Sequence, residues 1–142
     1  MKTPPEILLG FDFGMKRIGV AVGQTVTRSA RPLGVIKAER GKPDWVALTK
    51  FIQQWNPDAL IVGVPLNMDG TEQPLTQAAK KFADKLEERF KVPVYGMDER
   101  LTSVEAKDRV FSEGGYKALK NSQVDSLAAQ LILQNWLSLH TK

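Results

Sequence analysis

The 142-residue chain contains no cysteine and a single histidine, His140, next to its C-terminal end. The absence of cysteine excludes a disulfide scaffold, a thiolate zinc site and a cysteine nucleophile. With one histidine in a tail that we expect to fray and to be inert, neither a multi-histidine metal site nor a Ser-His-Asp arrangement elsewhere in the chain is expected. Any catalysis by this chain should therefore depend on its 16 Asp and Glu residues.

Long apolar runs are also missing. The chain begins MKTPP, and the apolar run that follows is broken at once by Asp12. Neither a signal peptide nor a membrane-spanning helix of about 20 apolar residues is therefore expected. We expect a cytoplasmic protein without a membrane partner. Because no repeat, low-complexity segment or linker interrupts the sequence, residues 1–142 are predicted to form one domain.

The net charge is +4, from 20 Lys and Arg residues against 16 Asp and Glu residues. A mildly basic small domain is compatible with a polyanionic partner, because phosphate contacts release counterions from nucleic acid. The same charge is equally compatible with solubility alone. Charge by itself therefore leaves a nucleic-acid partner open.

The apolar pattern changes along the chain from consecutive strands to alternating helices and strands. Short β-branched or apolar runs predict strands at residues 7–13, 17–23, 31–38, 59–64 and 92–97. Helical spacing predicts helices between residues 44 and 55, and over about 72–90, 102–112 and 122–139. The order βββαβαβαα predicts an α/β fold with a five-stranded mixed sheet, in which two parallel strands extend an antiparallel three-strand meander. Trp45, Trp55 and Trp136 recur with other apolar residues at helical spacing and are predicted to lie in the core.

Three acids occupy informative positions in this pattern. Asp12 ends the first strand, Glu99 follows the fifth, and Asp125 lies in the predicted first turn of the last helix. If the first and fifth strands are parallel, their carboxyl ends meet at the edge where open α/β sheets bind ligands. Converging carboxylates repel one another unless a cation neutralises them, and Mg²⁺ prefers carboxylate oxygen. Two such ions about 3.5–4 Å apart can promote displacement at phosphorus without histidine or cysteine.

Each acid also has a structural interpretation. Asp12 can form a turn before Gly14, and Asp125 can be favoured by the helix macrodipole. Glu99 can pair with Arg100 or another surface cation. The hairpin over residues 12–19 also begins like the phosphate-binding hairpin of actin-like ATPases, although those proteins use two domains, so nucleotide binding is a minor alternative.

Four sequence segments carry a family resemblance. They are DFGMKRIGVA at residues 12–21, GVPLNMDG at 63–70, DERLTS at 98–103 and DSLAA at 125–129. Together they resemble the bacterial YqgF family, whose members are described as Holliday junction resolvases or as nucleases that mature the 5′ end of the 16S ribosomal RNA precursor. The resemblance implies an RNase H-like nuclease domain over residues 1–142. It also implies that Asp12, Glu99 and Asp125 are both the catalytic and the metal-binding acids, with Mg²⁺ or Mn²⁺ as cofactor.

The resemblance favours a phosphodiester hydrolase acting on precursor 16S rRNA in ribosome biogenesis. Related junction resolvases carry a fourth acid about one helical turn from the last-helix aspartate, where this chain has Ser122 and Ala128. Asp98 is the nearest substitute, although in a continuing strand it would point away from Glu99. Two alternatives stay open: a Holliday junction resolvase-type DNA endonuclease, and a non-catalytic RNA-binding ribosome-assembly factor on the same fold.

Residues expected to contact nucleic acid lie near the acids in the sequence. They are Lys16, Arg17, Asn67, Arg100, Lys107, Tyr116, Lys117 and Lys120. Tyr116 can stack on an unpaired base or anchor its loop, and Asn67 can contact substrate or form a turn. The expected partners are precursor rRNA or branched DNA, together with ribosomal precursor particles. The protein itself is expected to be a monomer or a weak homodimer.

Overall fold

The computed structural model describes residues 6–99 and 121–140, with side chains in the second range from Asp125 onward. The strands are β1 (Ile7–Asp12), β2 (Arg17–Gln24), β3 (Ser29–Glu39), β4 (Lys42–Pro43), β5 (Ala59–Val64) and β6 (Val94–Asp98). The helices are α1 (Trp45–Trp55), α2 (Pro74–Phe90) and α3 (Asn121–His140). The helix predicted over residues 102–112 lies outside the described residues.

The strands form one mixed sheet in the order β4-β3-β2-β1-β5-β6. Neighbours from β4 to β1 are antiparallel, whereas β1, β5 and β6 run parallel to one another. The predicted meander extended by two parallel strands is confirmed, and the carboxyl ends of β1 and β6 lie at the same edge of the sheet.

The predicted strand number was wrong by one, because the sheet has six strands. The additional strand, β4, is two residues long and pairs with the end of β3 through Glu39 and Lys42. A pair of residues is too short to show strand periodicity, and Pro43 has no backbone N–H to donate. The sequence pattern therefore contains no signal for this strand.

Apolar side chains form a separate core on each face of the sheet, because successive strand residues point to opposite faces. Leu9 and Phe11 of β1 pack with Leu48 of α1 and Phe82 of α2. The intervening Leu8 packs with α3, in a second cluster. This alternation places Asp12 on the face covered by α3 and Phe13 on the face covered by α1 and α2.

The tryptophans take part in these cores, as predicted. Trp45 and Trp55 pack against the first cluster, and Trp136 belongs to the second. His140 is not in a frayed tail, because it lies in the last turn of α3 and stacks on the Trp136 ring with the ring centroids 4.4 Å apart.

The helix boundaries follow local capping chemistry. The Asp44 side chain accepts hydrogen bonds from the backbone N–H groups of Val46 and Ala47, which fixes the start of α1. Helix α3 begins at Asn121, so Asp125 is its fifth residue and lies in the second turn rather than the first. The macrodipole interpretation of Asp125 is therefore wrong, because that effect is confined to the first turn. Within the described ranges, no helix has the length and apolar character that crossing a membrane requires.

Candidate active site

Helix α3 lies close to the sheet because glycines face it from the strands. Gly19 pairs with Asp12 across the β1–β2 ladder, and a Cβ atom on Gly19 would lie only 2.0 Å from the backbone oxygen of Asp125. Cβ atoms on Gly10 and Gly23 would each lie 2.9 Å from Leu133. The bare glycine backbone is therefore what allows α3 to place Asp125 beside the end of β1.

Asp12 and Glu99 meet at the carboxyl ends of the parallel strands. Asp12 is the last residue of β1, and Glu99 directly follows β6. The two side chains share a hydrogen bond between their carboxyl groups. A hydrogen bond between two carboxyl groups requires that one of them carry a proton. The predicted meeting of these two acids is therefore present in the structure, as a proton-sharing pair.

The surroundings of the pair favour the protonated forms. Burial, followed by the negative charge of Glu99, the hydrogen bond to it and the charge of Asp125, raises the pKa of Asp12 to about 8. Burial also raises the pKa of Glu99, and the charge of Asp98 adds to the effect, whereas the hydrogen bond with Asp12 opposes it. Removal of carboxylates from water disfavours their charged forms, and adjacent negative charges add repulsion. At neutral pH the Asp12–Glu99 pair is therefore expected to keep a proton.

Space for the Glu99 side chain depends on another glycine. A Cβ atom on Gly63, near the end of β5, would lie 2.8 Å from Glu99 Oε1 and 2.5 Å from Ile132 Cδ1. Gly63 thus leaves room both for the carboxyl group and for the helix packed above it. Gly19 and Gly63 were missed as site residues in the sequence, where a glycine inside a strand run signals only a close approach of some kind.

Asp125 is held by a different partner. Its Oδ2 atom lies 2.8 Å from Nε of Arg17, at the start of β2, and the two side chains are 25% and 48% exposed respectively. Among the described residues Oδ2 has no aligned hydrogen-bond donor, so the contact is an ion pair. Arg17 was predicted to contact nucleic acid, and its contact with Asp125 could not be read from the sequence.

The three acids present oxygen donors of the kind that Mg²⁺ and Mn²⁺ bind. Mg²⁺ is commonly held by one or two carboxylates, with water and substrate phosphate completing its coordination, and the Asp12–Glu99 pair fits that requirement. Across residues 6–99 and 121–140, however, no group of three or more Asp, Glu, His or Cys side chains is arranged to hold a metal ion. The structure thus presents a pair of candidate ligands, with Asp125 turned to Arg17.

The remaining predicted site residues fall into two groups. Lys16 is exposed in the β1–β2 turn, and Asn67 lies in a turn where its Nδ2 donates to Thr71 Oγ1 at 2.9 Å. The turn interpretation of Asn67 therefore applies in this structure. The other group lies outside the described residues and comprises Arg100, Lys107, Tyr116, Lys117 and Lys120.

Bacterial proteins similar to this chain carry the description "Putative pre-16S rRNA nuclease". One from Glaesserella parasuis is 56% identical over 131 residues, covering 92% of this chain and 95% of the relative. One from Haemophilus ducreyi is 54% identical over 129 residues, covering 91% and 94%. One from Actinobacillus pleuropneumoniae is 57% identical over 129 residues, again covering 91% and 94%.

Solved structures with a similar fold include Holliday junction resolvases. RuvC of T. thermophilus in complex with a Holliday junction substrate superposes with a TM-score of 0.60 at 18% identity, covering 96% of this chain and 97% of RuvC. The fowlpox virus resolvase in complex with junction DNA gives a TM-score of 0.58 at 16% identity, covering 96% and 99%. At such identities the likeness establishes the fold, and the predicted RNase H-like fold is confirmed.

A family model described as "RuvX: Holliday junction resolvase" matches residues 6–139, nearly the whole chain. This match agrees with the bacterial relatives, which are similar over almost their full length. The resemblance seen in the four sequence segments is thereby confirmed. The chain belongs to the RuvX family.

Proposed function

We propose that this chain is a metal-dependent nuclease that hydrolyses phosphodiester bonds near the 5′ end of precursor 16S rRNA. The observation that carries the proposal is the meeting of Asp12 and Glu99 at the carboxyl ends of β1 and β6, with Asp125 near enough to raise the pKa of Asp12. The choice of rRNA follows the name "Putative pre-16S rRNA nuclease" carried by relatives that are more than half identical to this chain. Such an activity would take place in the bacterial cytoplasm, where precursor rRNA is made.

Asp12 and Glu99 would hold a Mg²⁺ or Mn²⁺ ion through their carboxylate oxygens. When bound, such an ion activates water as a nucleophile and stabilises charge on the phosphoryl oxygens. Asp12 has to give up its shared proton before both carboxylates can bind a cation. Asp125 is the proposed third ligand, and it would have to turn from Arg17 toward the pair. Arg17, once released, is placed to contact a phosphate of the substrate.

The cations predicted to contact nucleic acid complete the proposal. Lys16 directly precedes Arg17 and is exposed as well, so both can approach a phosphate near the acids. The sequence alone supports the remaining proposed contacts, which are Arg100, Lys107, Tyr116, Lys117 and Lys120. The proposed substrate is either free RNA or RNA within a ribosomal precursor particle. The protein would bind it as a monomer or a weak homodimer.

A second candidate function is cleavage of branched DNA. The description of the RuvX family as a Holliday junction resolvase favours it. Both activities use the same acid pair and the same hydrolytic chemistry, so they differ only in the nucleic acid that reaches the site.

The test incubates purified protein and Mn²⁺ with precursor 16S rRNA that carries its 5′ leader, and in parallel with a four-way DNA junction. We expect cleavage of the RNA in the 5′ leader and a loss of about 100-fold or more in Asp12→Asn, because metal-dependent stabilisation contributes several kcal/mol to such reactions. The matched control is Asp84→Asn, the same change at an exposed residue of α2, which should keep full activity.

Three other outcomes would each change the proposal. Cleavage of the junction alone would replace the RNA substrate with branched DNA. RNA binding without cleavage by the wild-type protein would instead favour the non-catalytic assembly factor. Cleavage that persists in Asp12→Asn would remove the acid pair from the mechanism.

A further inference from the structure

A basic cleft lies between the β3–β4 turn and α2, on the face of the sheet opposite the acid pair. Its volume is about 380 Å³, and its cations are Arg40, Lys42, Lys81 and Lys85. Apolar residues, including Phe13 and Phe82, line it as well. No carboxylate is present among the residues that line it. The cleft is therefore a concentrated positive surface that none of the predicted nucleic-acid contacts includes.

None of the four cations forms an ion pair within residues 6–99 and 121–140, and the acids nearest in the sequence to Arg40 and Lys42, which are Glu39 and Asp44, line a neighbouring groove with them. All four side chains are exposed, and the ion pairs in that part of the chain involve other residues. Lys81 and Lys85 stand four residues apart on one side of α2, a spacing at which like charges repel. The acids Asp84, Glu87 and Glu88 of the same helix line a different groove. An anion in the cleft would relieve this repulsion.

The turn that supplies Arg40 holds it in an uncommon backbone conformation. Arg40 and Gly41 connect β3 to β4 with φ values of 52° and 79°, as in a two-residue turn of the kind that favours Asn-Gly. A positive φ is uncommon for arginine and disfavoured relative to asparagine or glycine. Asparagine would therefore suit the local backbone better, so the turn itself does not require arginine at this position.

The cleft is continuous with the acid site through the chain itself. Phe13, which lines the cleft, directly follows Asp12. The backbone N–H of Gly41 donates to the Met15 carbonyl oxygen at 2.9 Å, which joins the β3–β4 turn to the turn that follows β1. Both sites therefore adjoin the carboxyl end of β1, and a strand that occupied both would have to pass over that end.

We propose that this cleft binds the phosphate backbone of the substrate strand next to the segment held at the acid pair. Arg40, Lys42, Lys81 and Lys85 would contact phosphates and release their counterions, a contribution that does not depend on base sequence. The proposal rests on the proposed function in taking the occupant to be the substrate nucleic acid. It adds a binding surface on the opposite face of the sheet.

The test measures the binding of a labelled 20-nucleotide single-stranded RNA by fluorescence anisotropy in EDTA, where metal-dependent cleavage does not interfere. Lys81→Glu and Lys85→Glu should each raise Kd about 5- to 10-fold. Each should also lower the slope of log K against log salt by about 0.7, the value for one phosphate contact on a single strand. The matched control is Lys50→Glu, which reverses an exposed cation on α1 away from the cleft and makes the same change in net charge.

Arg40→Asn separates binding from folding. Because asparagine suits the turn better, its urea unfolding midpoint should equal or exceed that of the wild-type protein, while its Kd for the RNA rises several-fold. A lower midpoint with unchanged Kd would show that Arg40 serves only the turn, and would overturn its role in the cleft.

The remaining outcomes distinguish this proposal from the proposed function. If Lys81→Glu and Lys85→Glu bind RNA as Lys50→Glu does, the cleft proposal fails, and an acidic protein surface becomes the better occupant. It fails too if the wild-type protein binds no RNA. If the reversals weaken binding but the wild-type protein and Mn²⁺ cleave neither substrate, the cleft stands and the nuclease proposal fails.

Discussion

Two carboxyl groups in contact cannot both ionise cheaply, and Asp12 and Glu99 resolve this by sharing a proton. The shared proton replaces the repulsion between two carboxylates with a hydrogen bond. At neutral pH the chain has to bind this proton from solvent when it folds. This site is therefore expected to make the metal-free folded protein more stable at acidic pH than at neutral pH.

The stability of the metal-free protein should fall as the pH rises from about 4 to about 8. Folding raises the pKa of Asp12 from 3.8 to about 8, so the folded state binds this proton more tightly than the unfolded chain. The resulting contribution is complete below the unfolded pKa and is lost as the pH approaches the folded one, with a slope of at most about 1.4 kcal/mol per pH unit. Urea unfolding in EDTA at pH 5 and pH 8 measures the difference.

Asp12→Asn is the control for this dependence, because an amide keeps the shape of the carboxyl group without titrating. The variant should be more stable than the wild-type protein at pH 8, and the loss of stability between pH 5 and 8 should shrink. An equal pH dependence in the two proteins would place the responsible proton on another group.

Residue by residue, the sequence predicts where the acids lie but not how they interact. Asp12 and Glu99 were identified from their positions at the carboxyl ends of strands, and they do meet. The shared proton depends on burial and on distances that no spacing encodes. The contact between Arg17 and Asp125 joins residues far apart in the chain, so it had to come from the structure.

At the scale of elements, the position of α3 is determined by what the strands lack. Glycines at positions 10, 19, 23 and 63 leave the strands without side chains where α3 lies on the sheet. The tightest approach is at Gly19, between the backbone of α3 and the residue paired with Asp12. A change at this glycine should therefore disturb the site and the packing of α3 together.

Gly19→Ala should destabilise the protein by about 1–3 kcal/mol, the usual cost of an overpacked contact. The added methyl group would lie 2.0 Å from the backbone oxygen of Asp125, so the helix has to move and Asp125 with it. We also expect a loss of RNA cleavage, measured beside urea unfolding. Gly34→Ala is the matched control in β3, because its methyl group would meet Phe51 at an ordinary 3.5 Å. Equal effects of the two substitutions would show that Gly19 does not position α3.

The elements themselves were largely predictable, since apolar periodicity and capping residues are local signals. Asp44 and Asn56 bound α1 as the sequence indicated. Strand β4 was not predictable, because it exists only through pairing with β3. The start of α3 was misplaced by one residue, which was enough to put Asp125 in the wrong turn.

Across the whole molecule, the strand order is what brings Asp12 and Glu99, which are distant in the sequence, next to each other. Strand β5 lies between β1 and β6, and all three run parallel, so Asp12 and Glu99 leave the sheet at the same edge. Right-handed crossover connections predict this arrangement from the order of elements alone. Which face α3 covers, and how closely, depends on packing against glycine and could not be predicted in the same way.

A cation that binds only the folded site should stabilise the whole domain. At an Mn²⁺ concentration 100 times its Kd the gain is about 2.7 kcal/mol, or a rise in Tm of roughly 5–10 °C for a domain of this size. Thermal unfolding at pH 8 with Mn²⁺ and then with excess EDTA should show the rise and its reversal. Asp84→Asn should respond like the wild-type protein, whereas Asp12→Asn should lose most of the rise because one carboxylate of the pair is gone. A full rise in Asp12→Asn would mean that Mn²⁺ binds elsewhere, and the acid pair would then be a structural hydrogen bond rather than a metal site.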